Sequence, residues 1–333
     1  MTLRPRLGAA LAALLAAAPA AACSGSSTPL AGGGAATRPA AARPVATPSP
    51  TPALPAYAIE SLRARGYGGG RLVVGERLGG TATYTVHRVT WPSQGGTMTG
   101  LADIPAGTGP FPVAIVNHGY IPAAQYRTGQ DSTRYAGAFA AERILTVAPD
   151  DPGYAGSSPP EPDLVPIEAA AVAVMDLIGS LSTLPQADTR RIAVAGHSNG
   201  GGVAELVMVV DPRVRAIVLY APVSTDMADN ARKWWTGHPG GTGPLGTPDA
   251  DPVGYARISP RTHLRADGPP VLILQGTDDE DIPAEWTAAT VAALQARGVR
   301  SRFVSFPGAR HILTGADLVR ANGLAVEWML GAS

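Results

Sequence analysis

The feature that most constrains this chain is the stretch Gly196–Gly200, with the sequence GHSNG. The apolar run Arg191–Ala195 before it predicts a buried strand, and Gly201–Val210 after it predicts a helix. This is the strand–turn–helix context of a G-x-S-x-G motif, in which Ser198 stands at the apex of a strained turn. Both outer positions of the motif must be glycine, because side chains there would collide with the neighbouring strand and helix. With 40 glycines in 333 residues, the motif needs support from the rest of the chain.

Strands and helices alternate along most of the sequence. Apolar runs predict strands at 112–116, 144–148, 192–195, 216–220, 271–274 and 302–306. Helical patterns cover 56–65, 131–143, 167–184, 201–210, 284–296 and 316–330, the second with an Asp/Ser start. Alternating segments between 71 and 104 predict an antiparallel hairpin or meander at the start. The pattern predicts an α/β fold with a mostly parallel sheet and helices on both faces.

The first 23 residues predict an export signal. Arg4 and Arg6 precede the apolar run 7–18, which is short for a membrane span, and small residues follow. Cys23, the only cysteine, directly follows them, which resembles the lipidated cysteine of bacterial lipoproteins. The alternative is an ordinary secretory signal, since Ala20 stands where such sites usually carry leucine. We therefore expect export, either as a cell-envelope lipoprotein anchored at Cys23 or as a secreted protein.

Two further segments follow from composition and length. Residues 24–55 are rich in Ala, Pro, Thr, Gly and Ser and predict a disordered tether. Residues 56–333 fit one large α/β domain. Lys plus Arg and Asp plus Glu both number 26, without a basic block, so nothing favours nucleic-acid binding.

Residues 222–268 interrupt the alternation and hold Trp234 and Trp235. An insertion at the sheet end that carries active sites predicts a lid or substrate wall. The alternative is a surface excursion whose aromatic residues fold into the core. On the first interpretation, Trp234, Trp235 and the loop residue Arg127 are candidates for substrate contact.

A serine nucleophile needs a base and an acid, which follow it along the chain in the order acid, then histidine. Three of the six histidines follow Ser198. The acid should follow a buried strand, and four consecutive acidic residues, Asp278–Asp281, follow the strand at 271–274. Only His311 lies beyond them, so the order selects His311 as the base and leaves the acid open among the four.

The negative charge that develops on an attacked carbonyl needs two N–H donors. One is expected at Asn199, next to Ser198. The other is expected at Gly119 or Tyr120, in the loop after the first fully buried strand. We expect His118 to brace this loop and His197 to pack beneath the turn.

Five segments follow one another along the chain in this order: VNHGY, PDDPGYAGSS, AGHSNGG, LQGTDDEDIP and FPGARH. Over roughly 105–330 the chain resembles an α/β-hydrolase, and most of all the catalytic domain of the prolyl-oligopeptidase family of serine hydrolases. The family segment G-T-x-D-x-x-V/I implies Asp279, rather than Asp278, as the acid, with Ile282 as the hydrophobic residue. The resemblance implies a Ser198–His311–Asp279 triad and an acyl-enzyme intermediate.

The resemblance leaves two activities open. Family peptidases usually carry a β-propeller, for which the sequence before residue 105 is too short. Propeller-free relatives look like esterases, so hydrolysis of small acyl esters is favoured over cleavage of short peptides. A non-catalytic surface binding protein is the third hypothesis. Neither a metal nor another cofactor is expected, because the sequence has no HExxH motif and no phosphate-binding glycine loop.

Overall fold

The structure is a computed structural model that describes residues 54–236 and 245–331. The predicted signal sequence, Cys23 and almost all of the predicted tether lie outside these residues. So does part of the insertion, at 237–244.

A nine-stranded sheet forms the centre of the described domain. In chain order the strands are β1 (Val73–Gly80), β2 (Tyr84–Ser93), β3 (Gly96–Pro105), β4 (Phe111–Asn117), β5 (Leu145–Pro149), β6 (Ala187–His197), β7 (Val214–Tyr220), β8 (Val271–Gly276) and β9 (Ser301–Phe306). They lie side by side in the order β1-β2-β3-β5-β4-β6-β7-β8-β9. β1, β2 and β3 pair antiparallel, as β3 does with β5. The remaining neighbours are parallel, so the prediction of an antiparallel meander leading into a parallel sheet is confirmed.

Helices cover both faces of this sheet. They are α1 (Ile59–Ala64), α2 (Thr133–Ala141), α3 (Pro166–Ser180), α4 (Asn199–Val210), α5 (Met227–Asn230), α6 (Pro252–Ile258), α7 (Ala284–Ala296) and α8 (Gly315–Gly331). A π-helical turn (Ala231–Trp235) follows α5. One core cluster contains residues of α1, α3 and α4, and the other contains residues of α2 and α8. Along β6, Val194 belongs to the first cluster and its neighbours Ala193 and Ala195 to the second. Alternate side chains of a strand therefore fill two cores on opposite faces.

One described helix, α3 with the turn after it, is long and apolar enough to cross a membrane, but most of it is buried in the protein. The strand and helix predictions hold with small shifts at the ends. β6 begins at Ala187 rather than near Ile192. An apolar run does not detect the start of this strand, because residues 188–191 are polar or charged. The helix predicted from Asp131 begins at Thr133 instead, and Asp131 takes a left-handed conformation with φ 69°.

The described part of the insertion packs against the helices. The hydroxyl groups of Thr225 and Thr290 lie 2.9 Å apart and join it to α7. Tyr255 is buried in the larger core cluster, as the surface-excursion alternative expects of the aromatic residues. Trp234 and Trp235 are only half-buried.

A carboxyl group lies deep in the domain without a partner. Glu205 of α4 is fully buried, and neither of its carboxyl oxygens has a hydrogen-bond partner among the described residues. Burial raises its pKa well above the ordinary value of a glutamate. The folded protein therefore keeps a proton that the unfolded chain releases above about pH 4.3.

Replacing Glu205 by methionine should stabilise the fold. We expect the free energy of unfolding to rise by about 1–3 kcal/mol at pH 7, because the cost of burying an unpaired polar group disappears. Since the unfolded chain loses its proton first, the stability of the native protein falls as pH rises above the unfolded pKa. The gain from Glu205→Met should thus be larger at pH 8 than at pH 5, as measured by urea unfolding. Glu327→Met, at an exposed position of α8, is the control. An equal gain at both pH values would show that Glu205 is not a buried neutral acid.

Candidate active site

Ser198 stands in a strained turn between β6 and α4. Its backbone angles are φ 54° and ψ −118°, a conformation that side-chain-bearing residues rarely adopt. A methyl group at Gly196 would overlap the carbonyl of Gly200, and one at Gly200 would overlap the carbonyl of Asn117. The predicted steric need for both glycines is confirmed. The Ser198 N–H also donates to the carbonyl of Tyr220 at the end of β7 (2.9 Å), so the turn is fixed to the neighbouring strand.

His311 lies beside this turn, in the loop between β9 and α8. Its ring centroid is 4.8 Å from that of His197, the residue before Ser198. His311 Nδ1 lies 3.0 and 3.2 Å from the two carboxylate oxygens of Asp279. Because an ionised carboxylate only accepts hydrogen bonds, Nδ1 carries the proton and the neutral ring keeps the lone pair on Nε2. That is the tautomer a general base at Nε2 requires.

The Asp279 carboxylate is held from several sides. Its side chain is only 2% exposed. Oδ1 accepts hydrogen bonds from the N–H groups of Asp281 and Ile282, and Oδ2 accepts one from Gln275. Burial alone would raise the pKa of Asp279. Hydrogen bonds from His311 and from the two backbone N–H groups outweigh burial and hold the pKa below its usual value. Asp279 is therefore ionised at neutral pH.

The other three acidic residues of this loop do not bind His311 Nδ1. Asp278 is exposed, and its Oδ1 accepts a hydrogen bond from the Thr277 hydroxyl (2.9 Å). Glu280 pairs with Arg310 (2.6 Å) and accepts the backbone N–H of His311. Asp281, which is largely exposed, lies 3.9 Å from His311 Nε2. Of the four, Asp279 is the one hydrogen-bonded to His311 Nδ1.

The loop after β4 lies against Ser198. A methyl group at Gly119 would stand 3.4 Å from Ser198 Cβ. The Gly119 N–H donates to Asp131 Oδ2 (2.8 Å), so it is not free for a substrate. Within 54–236 and 245–331, the N–H groups of Tyr120 and Asn199 have no acceptor. Asn199 is the first residue of α4, where helical N–H groups lack intrahelical partners.

The sequence model of the prolyl oligopeptidase family matches residues 172–330, which include Ser198, Asp279 and His311. The chain carries a prolyl oligopeptidase family domain and is a serine hydrolase. Its sheet and helices are those of the α/β-hydrolase fold.

Solved structures share this fold. Acetyl xylan esterase 1 from Thermoanaerobacterium sp. has a TM-score of 0.59 at 17% identity, over 82% of this chain and 90% of that one. The acylaminoacyl peptidase of Pyrococcus horikoshii has a TM-score of 0.60 at 16% identity, over 74% of this chain and 42% of that one. A puromycin-hydrolyzing peptidase of Mycobacterium tuberculosis has a TM-score of 0.55 at 20% identity, over 79% of this chain and 39% of that one. The hydrolase thus spans less than half of either peptidase.

The three candidate substrate residues make no hydrogen bond or ring contact with Ser198 in the described part of the chain. Trp234 packs edge-on against Trp286 (5.3 Å between centroids), with Lys233 Nζ 5.5 Å from the Trp234 ring. Arg127 is exposed, and its backbone N–H donates to Gln130. In the described part of the hydrolase, no hydrogen bond or ring contact links Trp234, Trp235 or Arg127 to Ser198 or His311.

Sequence reasoning missed two groups of aromatic side chains at this end of the sheet. Trp286 lies in the first turn of α7, close in sequence to Asp279. The His118 ring stacks on Tyr126 (4.4 Å), which contacts Tyr154 edge-on (5.3 Å). The Tyr126 hydroxyl donates to the buried Asp150 (2.8 Å). The PDDPGY segment after β5 carried a signal for this cluster, because it follows a buried strand at the active end of the sheet.

No metal site is evident around these residues. Among the residues that the structure describes, no group of three or more His, Cys, Asp or Glu side chains could hold a metal ion.

Proposed function

We propose that the hydrolase cleaves acyl esters by transferring the acyl group to water through Ser198. The Ser198 hydroxyl attacks the carbonyl carbon, and His311 Nε2 takes its proton and delivers it to the leaving alcohol. Asp279 holds the histidine tautomer and stabilises the imidazolium. The N–H groups of Tyr120 and Asn199 bind the oxyanion. Water then hydrolyses the acyl-enzyme by the same steps in reverse.

One observation carries this proposal. The buried, ionised Asp279 binds Nδ1 of a histidine that lies beside a strained serine turn. A structural histidine needs no carboxylate that accepts two backbone N–H groups as well. Such an arrangement fixes both the orientation and the proton of the ring, which is what general-base catalysis requires.

Ester hydrolysis is favoured over peptide cleavage by the size of the domain and by the access that substrates have to the site. The described residues before β4, 54–110, form α1 and three strands of the central sheet, and they add no separate structure that screens peptides. The acetyl xylan esterase has nearly the same extent, since 90% of its length is matched. We propose that the insertion at 222–268, with Trp234 and Trp235, forms a wall of the substrate site.

Cleavage of short peptides is the second candidate. The exposed carboxylate of Asp281, 3.9 Å from His311 Nε2, offers a partner for the ammonium group of a peptide. The likeness to two peptidases agrees with this candidate.

Two substrates with the same acyl group separate the candidates. We expect hydrolysis of alanine p-nitrophenyl ester with a kcat/KM of about 10⁴ M⁻¹s⁻¹ or more, and no measurable release from alanine p-nitroanilide. The anilide tests for amidase activity, because its amine leaving group must be protonated as it departs. Ser198→Ala enzyme gives the background rate for each. Turnover of the anilide in the same range as the ester would make the chain a peptidase.

We also propose that the hydrolase is exported and held at the cell envelope by a lipid on Cys23, with residues 24–55 as a tether. The support is the sequence of the first 23 residues. In a bacterium that processes lipoproteins, Cys23→Ser should move the full chain from the membrane fraction to a soluble one. If wild type and variant are equally soluble, the secreted alternative holds.

A further inference from the structure

The peptide groups on both sides of Gly119 are held by side chains. The Gly119 N–H donates to Asp131 Oδ2 (2.8 Å), and the Gly119 carbonyl accepts from His118 Nδ1 (2.8 Å). The carbonyl of Gly119 and the N–H of Tyr120 belong to one planar trans peptide unit, in which they point in opposite directions. Fixing the Gly119 carbonyl therefore fixes the direction of the Tyr120 N–H.

The same oxygen of Asp131 also binds the residue before Ser198. His197 Nδ1 lies 2.8 Å from Asp131 Oδ2, and it donates because the carboxylate is an acceptor. The side chains of Asp131 and His197 are both largely buried. One carboxylate oxygen thus joins the loop after β4 to the turn that holds Ser198.

The His197 ring also lies next to His311, the third part of the site. Its Nε2 lies 3.4 Å from the backbone carbonyl of His311, and the two rings are 4.8 Å apart. Gly119 is the residue that fits between these groups, since a methyl group there would stand 2.9 Å from His197 Nδ1.

The conformation of Asp131 suits its contacts with Gly119 and His197 rather than the start of α2. Its φ of 69° is a left-handed conformation that aspartate and asparagine tolerate better than most residues. Burial alone would raise its pKa, but the hydrogen bonds from His197 and Gly119 hold the pKa below its usual value. The second oxygen, Oδ1, lies 3.2 Å from Arg134 Nε.

We propose that Asp131 is a positioning residue for the oxyanion donor. Through Gly119 and His197 it holds the loop after β4 against Ser198, so that the Tyr120 N–H is aligned before substrate binds. The inference rests on the proposed acyl transfer at Ser198. Preorganised donors stabilise charge without reorganisation during the reaction, so loss of Asp131 should lower kcat more than it raises KM.

The test compares an ester with its thionoester, in which sulfur replaces the carbonyl oxygen. Sulfur is a weak hydrogen-bond acceptor, so an aligned N–H donor favours the ester over the thionoester. Asp131→Gly removes the carboxylate at a position where glycine accepts the positive φ. Asp131→Asn keeps the shape and one acceptor oxygen. Asp267→Asn, at an exposed aspartate in the loop before β8, is the matched control. Thermal unfolding and circular dichroism check the fold of each.

With p-nitrophenyl acetate we expect kcat to fall roughly 10²-fold in Asp131→Gly and about 10-fold in Asp131→Asn, with little change in KM. With p-nitrophenyl thionoacetate the losses should be several times smaller. Asp267→Asn should match wild type on both. Equal losses on ester and thionoester, or none in an Asp131→Gly protein of native stability, would overturn the inference alone. A wild-type protein without ester turnover would overturn the proposed function, and the inference with it.

Discussion

Replacing Ser198 by alanine is expected to lower kcat for p-nitrophenyl acetate by up to roughly 10⁶-fold. The hydroxyl is the group that would form the acyl-enzyme, and no other residue stands at the apex of the turn between β6 and α4. The N–H groups of Tyr120 and Asn199 remain in place, so a small rate above that of water should persist. Steady-state kinetics measure the loss, and mass spectrometry with a fluorophosphonate probe locates the labelled residue.

The matched control is Ser182→Ala, because Ser182 is exposed near the opposite end of β6. This variant should keep full activity and full labelling. Labelling of Ser198→Ala at another serine would show that the nucleophile lies elsewhere. A wild-type protein that neither turns over esters nor reacts with the probe would favour the non-catalytic binding hypothesis.

Local steric rules explain why the centre of the site could be predicted. The two glycines of GHSNG are fixed by contacts within the strand–turn–helix unit itself, where a methyl group would overlap a carbonyl. The parallel strands could be predicted because each is a continuous apolar run buried on both faces. His311 and its acidic partner follow from the order of the elements along the chain.

Long-range contacts explain what could not be predicted. Asp131 precedes a helical pattern and was expected to start that helix, yet its carboxylate binds His197 and Gly119. Neither periodicity nor local spacing reports that the loop before α2 meets the end of β6. Trp286 lies within the helical pattern 284–296, and nothing in that pattern predicts its contact with Trp234 of the insertion.

The adjacent residues Asp278 and Asp279 provide the second large prediction. Asp279→Asn should lower kcat about 10⁴-fold, whereas Asp278→Asn should leave it within about threefold of wild type, as surface changes usually do. The two substitutions are chemically identical and one residue apart. Any difference between them therefore reports on what each carboxylate contacts, not on the loss of a charge from this loop.

The reason for the large effect is the tautomer of His311. In Asp279→Asn, the new amide oxygen can still accept the N–H groups of Asp281 and Ile282, so the loop keeps its shape. The neutral amide no longer holds the proton on Nδ1. Its NH₂ group, in the place of Oδ2, can donate to His311 Nδ1, and the ring proton then moves to Nε2. A protonated Nε2 cannot take the Ser198 proton. Asp278→Asn has no such consequence, because its oxygen keeps the hydrogen bond from Thr277.

The pair is best compared on p-nitrophenyl acetate, with thermal unfolding to show that both variants are folded. The loss in Asp279→Asn should appear in kcat with KM nearly unchanged, since the substrate does not contact this carboxylate. A greater loss in Asp278→Asn than in Asp279→Asn would assign the acid to Asp278 and would contradict the geometry around His311 Nδ1. Equal, small losses in both would mean that His311 keeps its tautomer without either carboxylate.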